Sequence, residues 1–298
     1  MSEFKLTVLV DGGGYYEGPR WRVDRWWVSD FQRNGLFTVS PDGREELVAN
    51  FPAQSSGLGW LPDGSLLVVS MKDHKLMHRR AEGGAFTEYA DLSAYGQGHL
   101  NDMVVSADGH AYVGQFGFDI DAGARPSKTT LIKVAPDRSI SVVADELFFP
   151  NGMVITPDGK TLVVGEALGG RYTAFTIGED GALSDRRLWA ELGPMPALGE
   201  FGETMAQLKA TPDGCCLDAE GAIWVADPIN RRVVRVLEGG KITDEIPAPE
   251  ERYFFACMLG GDDGRTLLLS SAPGFLDHGY REGTLYTTRV AVPHAGLP

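Results

Sequence analysis

Apolar residues fall along this chain in short β-prone runs, each introduced by an acidic residue and a glycine. The runs read LPDGSLLVVS at 61–70, SADGHAYVGQ at 106–115, TPDGKTLVVG at 156–165, DAEGAIWVAD at 218–227 and GDDGRTLLLS at 261–270. A sixth, shorter copy is VDRWWVSD at 23–30, with Arg25 where the glycine would be. Glycine suits the turn because it reaches positive φ without steric cost. Each copy is followed by a second β-like run, such as GLFTVSPDG (35–43), TLIKVAPDR (130–138) or RRVVRVLEGG (231–240). Short strands repeating every ~40–60 residues, with turns between them, read as blades of four strands. Six copies predict an all-β chain, a six-bladed β-propeller forming one domain over 1–298. The FKLTVLV run near the N-terminus is expected to complete the last blade and protect its edge.

One copy carries an extra signal. TPDGCCLDAEGAIWVAD, 211–227, holds two acidic-glycine pairs, Asp213-Gly214 and Glu220-Gly221, although one strand pair needs one turn. Aligning the copies on the turn and stepping back eight residues gives Glu17, Ser56, Asn101, Asn151, Asp213 and Ala256. Equivalent positions on successive blades line the channel of a propeller. Asp213 is thus out of phase with the other acidic turns and in phase with a carboxylate and two amides. Two carboxylates facing one another repel. With two amide oxygens beside them they suit a hard divalent cation. The plainer alternative is that Asn101-Asp102 and Asn151-Gly152 are simple turn dipeptides.

Composition narrows the function. The formal net charge of −14 disfavours nucleic acid and anionic membrane as partners. The three cysteines, at 215, 216 and 257, lack metal-site spacing and sit where core residues are expected, which points to a reducing, cytoplasmic setting. MSEFKLTVLVDGGG has no signal-peptide pattern, and no run has the length of a membrane helix. The tryptophans at 26, 27, 60 and 224 lie on strand runs and read as packing. A monomer is the default.

The pieces YYEGPRW (15–21), GHLNDM (98–103), FPNGM (149–153) and TPDGCCLDAEGAIWVAD resemble the SMP-30/gluconolactonase/LRE, or regucalcin-like, family over nearly the whole chain. The resemblance implies one divalent metal ion in the channel of a six-bladed propeller, and hydrolysis of lactones. Its metal ligands fall on Glu17, Asn151 and Asp213, and its substrate-contacting Asn on Asn101. Calcium is expected first, with Zn, Mg, Mn or Fe open. Sugar-lactone members carry Arg where this chain has His99, and His offers fewer donors to hydroxyls. His99 and Asn101 are expected to bind the substrate. The insert PMPALGEFGETMAQLKA (194–209) and the segments 116–128 and 273–283 are expected near the blade ends. The insert reads first as packing, but its apolar residues could also form a partly hydrophobic wall, which favours a less sugar-like lactone or ester.

The expected chemistry is hydrolytic ring opening of a small lactone. The ion would polarise the carbonyl or lower the pKa of water, and Asp213 would be the general base. Whether Asp213 or the ion activates the water stays open at this level. A phosphotriester or fluorophosphate hydrolase on the same ligands, and a non-enzymatic calcium-binding propeller, are the competing functions.

Overall fold

The computed structural model describes residues 4–274 and 282–296. Its strands form six four-stranded antiparallel sheets, the blades of a six-bladed β-propeller. The first strands of blades I to VI are Tyr16–Arg22, Ser55–Trp60, Leu100–Val105, Pro150–Ile155, Cys215–Leu217 and Tyr253–Gly260. Each lies at one edge of its sheet and pairs with a second strand: Arg25–Asp30, Leu66–Ser70, Ala111–Gln115, Thr161–Glu166, Ile223–Asp227 and Thr266–Ala272. Blade VI gains its fourth strand from the N-terminus, Thr7–Gly13, which pairs antiparallel with Gly283–Arg289. The N-terminal run therefore covers an edge that would otherwise be open to strand pairing.

Two compact units can be distinguished. One runs to Ser55 and resumes at Asp213, holding blades I, V and VI; the other covers Ser56–Pro212, with blades II, III and IV. The core of the first is built on Trp26, Trp224, Phe254, Leu268 and Leu285. That of the second includes Val104, Tyr112, Leu131, Met153, Leu162 and Phe175. The expected packing of Trp26, Trp60 and Trp224 is seen, all three being buried, while Trp27 is half-buried. Cys215, Cys216 and Cys257 are free thiols buried in first strands.

The turn glycines behave as the repeat requires. Gly64, Gly109, Gly159, Gly221 and Gly264 have φ between +70° and +93°. Each donates its N–H to the carbonyl three residues back, at 2.8–2.9 Å. Gly214 is absent from the positive-φ residues, so Asp213-Gly214 is not this blade's turn. It lacks a side chain for a different reason. A Cβ there would stand 2.5 Å from the Cβ of Ala256 on the neighbouring blade of the same unit. The same close approach occurs in the other unit, where a Cβ on Gly57 would stand 2.3 Å from the backbone N of Met103.

The shorter copy departs from its alignment. Its turn consists of Val23 and Asp24, both at positive φ, and Arg25 opens the second strand opposite Arg22. A two-residue turn with both residues left-handed follows the twist of the hairpin and needs no glycine slot. The register of Glu17 is set by the ladder, with Tyr16 opposite Asp30 and Glu17 opposite Ser29.

These two kinds of glycine respond differently to substitution. Gly221→Asn is expected to be near neutral, because Asn tolerates the left-handed region and no atom lies within 4 Å of a Cβ there. Gly214→Asn is expected to destabilise by at least about 1–3 kcal/mol through overpacking against Ala256. Urea unfolding of both variants checks this; the reverse order would restore Asp213-Gly214 as the turn.

Candidate active site

In blades I to IV the aligned residue is the second of the first strand: Glu17, Ser56, Asn101 and Asn151. Cross-strand pairing gives the same register independently. Tyr16, Leu100 and Pro150 stand opposite Asp30, Gln115 and Glu166, the last residues of the second strands, so Glu17, Asn101 and Asn151 each occupy the next position. In blade V the first strand is counted only from Cys215, but the ladder begins earlier. Asp213 N–H donates to Ala226 O at 3.0 Å, and Ala226 N–H donates to Gly214 O at 3.1 Å. Asp213 is thus a strand residue. The equivalent in blade VI, Ala256, is fully buried and offers no ligand atom.

In the first unit Glu17 and Asp213 bear on one phenol, that of Tyr15. Tyr15 is buried against Phe31 and Phe255, with ring centroids 5.6 and 4.6 Å away. Its pKa is raised well above the ordinary value, by burial first, then by the charge of Glu17 and then of Asp213. Tyr15 therefore remains a neutral O–H donor. Glu17 is half-buried and accepts the N–H of Gly18 at 3.2 Å, while Asp213 is buried.

In the second unit Asn101 and Asn151 are both buried. The Asn101 amide Nδ2 donates to the carbonyl of Pro150 at 3.3 Å, which ties its orientation to the strand that carries Asn151. His99 lies two residues before Asn101. Its Nε2 is 3.1 Å from Asp121 Oδ2, and Lys72 Nζ donates to the same oxygen at 2.7 Å. These partners hold the Asp121 carboxyl below the usual range, Lys72 foremost. The His99 ring also meets Phe116 edge-on, 5.6 Å between centroids.

The aligned side chains offer hard oxygens, the kind of donor that suits an alkaline-earth or similar divalent ion better than a soft metal. Among the described residues no group of three or more His, Cys, Asp or Glu side chains is placed to hold a metal. The thiols are not part of such a set. Cys257 is buried and its Sγ faces the carbonyls of Trp224 and Gly214 at 3.3 and 3.6 Å, and burial above all pushes its pKa up.

Sequence reasoning passed over a second row of residues. Asp30, Gln115, Glu166 and Asp227 end their second strands and are all buried. Asp30 accepts the N–H groups of Gly14 at 2.8 Å and Tyr15 at 3.1 Å, and pairs with Arg33 Nε at 2.6 Å. Gln115 accepts the N–H of Gln97 at 2.6 Å. Glu166 accepts the N–H of Phe148 at 2.9 Å and pairs with Arg171 at 2.8 Å. Three of the four thus grip the segment leading into Glu17, Asn101 or Asn151. Asp227 binds Asn230 and Arg232 at 2.7 and 3.0 Å. The signal was available: RWWVSD, AYVGQ, TLVVGE and IWVAD each end an apolar run on a polar residue.

The expected loops differ in outcome. The 194–209 insert forms a short helix α1 (Phe201–Gln207). Leu208 packs inside, but Met195, Leu198 and Phe201 are exposed. Of the 273–283 segment, residues 275–281 lie outside the described residues.

A model of the SMP-30/Gluconolactonase/LRE-like region matches residues 16–273. L-arabinolactonase of Azospirillum brasilense is 24% identical over 300 residues, covering 98% of this chain and 90% of the relative. 6-Deoxy-6-sulfogluconolactonase of Pseudomonas putida is 28% identical over 173 residues, with 56% of this chain and 55% of the relative covered. A solved structure described as a calcium-binding regucalcin, from Agrobacterium tumefaciens, superposes with a TM-score of 0.79 at 21% identity, covering 99% and 97% of the two chains. At that identity it bears on the fold alone.

The Asp30 clasp has a measurable consequence. Asp30→Ala leaves the buried N–H groups of Gly14 and Tyr15 without their acceptor and Arg33 with Glu45 as its remaining carboxylate, an expected loss of about 1–3 kcal/mol. Asp30→Asn, which keeps one acceptor oxygen, is expected to lose less. Chemical unfolding of both decides; a change within about 0.5 kcal/mol for the alanine variant would make the clasp dispensable.

Proposed function

Because the chain belongs to the SMP-30/gluconolactonase/LRE-like family, we propose that it opens a lactone ring by hydrolysis, with a divalent cation held by Glu17, Asn151 and Asp213. The observation that carries this reading is the shared register. Glu17, Asn101, Asn151 and Asp213 occupy one equivalent step of the ladder in their blades, and each is an oxygen-bearing side chain. The relatives named as an arabinolactonase and a sulfogluconolactonase support the reaction class. The neighbour described as calcium-binding supports calcium as the first ion to try.

When bound, the cation supplies Lewis acidity toward the carbonyl oxygen of the lactone. The chain's own groups do the rest. Asp213 takes a proton from the attacking water through a carboxylate oxygen, as general base. Asn101 orients the substrate, its amide set by the bond to Pro150 O. Tyr15 contributes an O–H that stays protonated beside the two carboxylates and can donate to one of them or to the substrate. His99 borders the substrate while its Nε2 remains on Asp121. Ring opening yields the hydroxy acid, and the proton taken by Asp213 returns to the leaving alkoxide.

The test is a pH-stat assay of sugar lactones and aliphatic γ- and δ-lactones before and after chelation, with divalent ions added back. Activity lost with chelator and regained with an ion is expected. Asp213→Asn should lower kcat/KM by about 10²–10⁴-fold. Glu17→Gln should raise the ion concentration needed for half-activity. Turnover of phosphotriesters but of no lactone would replace the proposal with the competing hydrolase.

A further inference from the structure

The lactone reading leaves the substituent on the ring unspecified, and a row of aromatic side chains in the second unit bears on it. Phe149 precedes Pro150-Asn151. Its ring lies 4.2 Å from Phe116 and 5.9 Å from Phe118, centroid to centroid. Phe118 in turn lies 6.0 Å from Phe201 on α1. Phe116 and Phe118 are buried, Phe149 is half-buried and Phe201 is 36% exposed. The row therefore runs from the strand carrying Asn151 out to solvent, and Met195 and Leu198 of the same insert add exposed apolar surface.

Two features mark the row as more than core. The first is the residue type at the blade entry. Phe149 has φ +57°, a region that bulky residues avoid and that a glycine or Asn would occupy at lower cost. Gln54 takes the same region at the equivalent step, two residues before Ser56 (φ +63°), so the conformation belongs to the blade entry, and what sets this blade apart is an aromatic ring where blade II has an amide. The second is charge. The ionic groups bordering the row are paired with one another: Lys72 and His99 with Asp121, and Arg125 with Glu200 at the start of α1. These groups compensate one another's charge, so the border of the row does not call for a charged substituent.

We infer that the row of Phe149, Phe116, Phe118 and Phe201 receives an apolar substituent, so that the substrate is an alkyl-substituted lactone and not a polyhydroxylated one. This rests on the lactonase reading for the ring and on the aromatic row for its substituent. The lactone carbonyl would lie toward Asn101 and Asn151, and the alkyl chain toward Phe201. Burying methylenes against aromatic faces is favourable at each added carbon, whereas a hydroxyl placed there would lose its water without gaining a partner.

The experiment separates the two readings by measuring binding and turnover apart. Chelator-treated protein is titrated calorimetrically with δ-valerolactone, δ-decalactone and glucono-δ-lactone, and turnover of the three is followed after ion add-back. The expected result is at least 10-fold tighter binding, and a similarly lower KM, for δ-decalactone than for either other lactone. Phe201→Ser, at an exposed position, and Phe149→Leu should each shrink that gap several-fold. Leu188→Ser, at an exposed site on the outer strand of blade IV, should leave the gap intact. Turnover of gluconolactone with no preference for the alkyl chain would overturn the inference and leave the lactonase standing. A binding gap that depends on Phe201, with no turnover of any lactone, would sustain the apolar subsite and remove the lactonase.

Discussion

The antiparallel ladder between the first and second strand of each blade is the constraint on which the rest depends. Side chains alternate across a strand, so a slip of one residue would exchange Glu17 for Gly18 or Asn151 for Gly152. Two devices prevent the slip. At one end the turn fixes the hairpin length, through a glycine with positive φ and an N–H bond three residues back in five blades and through Val23 and Asp24 in blade I. At the other end a buried polar residue, Asp30, Gln115 or Glu166, takes backbone N–H groups from the incoming segment. The ladder is thus held from both ends, and the site position lies one step from the second anchor. Placement of the oxygens is a by-product of the hairpin's own hydrogen bonding.

The fold was legible because the repeat is a backbone signal. Turn glycines every few dozen residues and the β-prone runs after them survive in all but one copy, and that copy differs by using a two-residue turn. The odd phase of Asp213 was legible for the same reason, and the ladder bond to Ala226 bears it out. What the sequence did not display is interaction at a distance. Nothing local says that Asp30 reaches back to Gly14, or that Gly214 is small because Ala256 of the next blade stands 2.5 Å from where its Cβ would be. Nor does an apolar insert say which of its residues turn inward: Leu208 does and Phe201 does not. Those facts belong to packing between segments far apart in the chain.

Stability and the proposed chemistry draw on this framework in opposite ways. Five of the turns relax their strain by using glycine, whereas Val23 and Asp24 in the turn of blade I, and Phe149 at the entry of blade IV, keep a side chain in the left-handed region, at a cost on the order of 1–3 kcal/mol each. Its segment is held by the Phe148 N–H bond to Glu166 and by ring contacts to Phe116 and Phe118. The clasp that sets the strand register also over-determines the strained residue.

The buried acidic residues of the first unit serve the strands in more than one way. Asp30 is matched by Arg33, and Asp227 by Arg232, so each buried charge meets an opposite one within hydrogen-bond distance. Such pairing is what allows a carboxylate to remain inside a protein. Glu17 and Asp213 have a further effect within the same unit: after burial, their charges in turn raise the pKa of the Tyr15 phenol and keep it a neutral donor. Both carboxylates therefore act on one buried hydroxyl, and that convergence is what the proposed chemistry draws on, whereas Asp30 and Asp227 serve the strands that carry them.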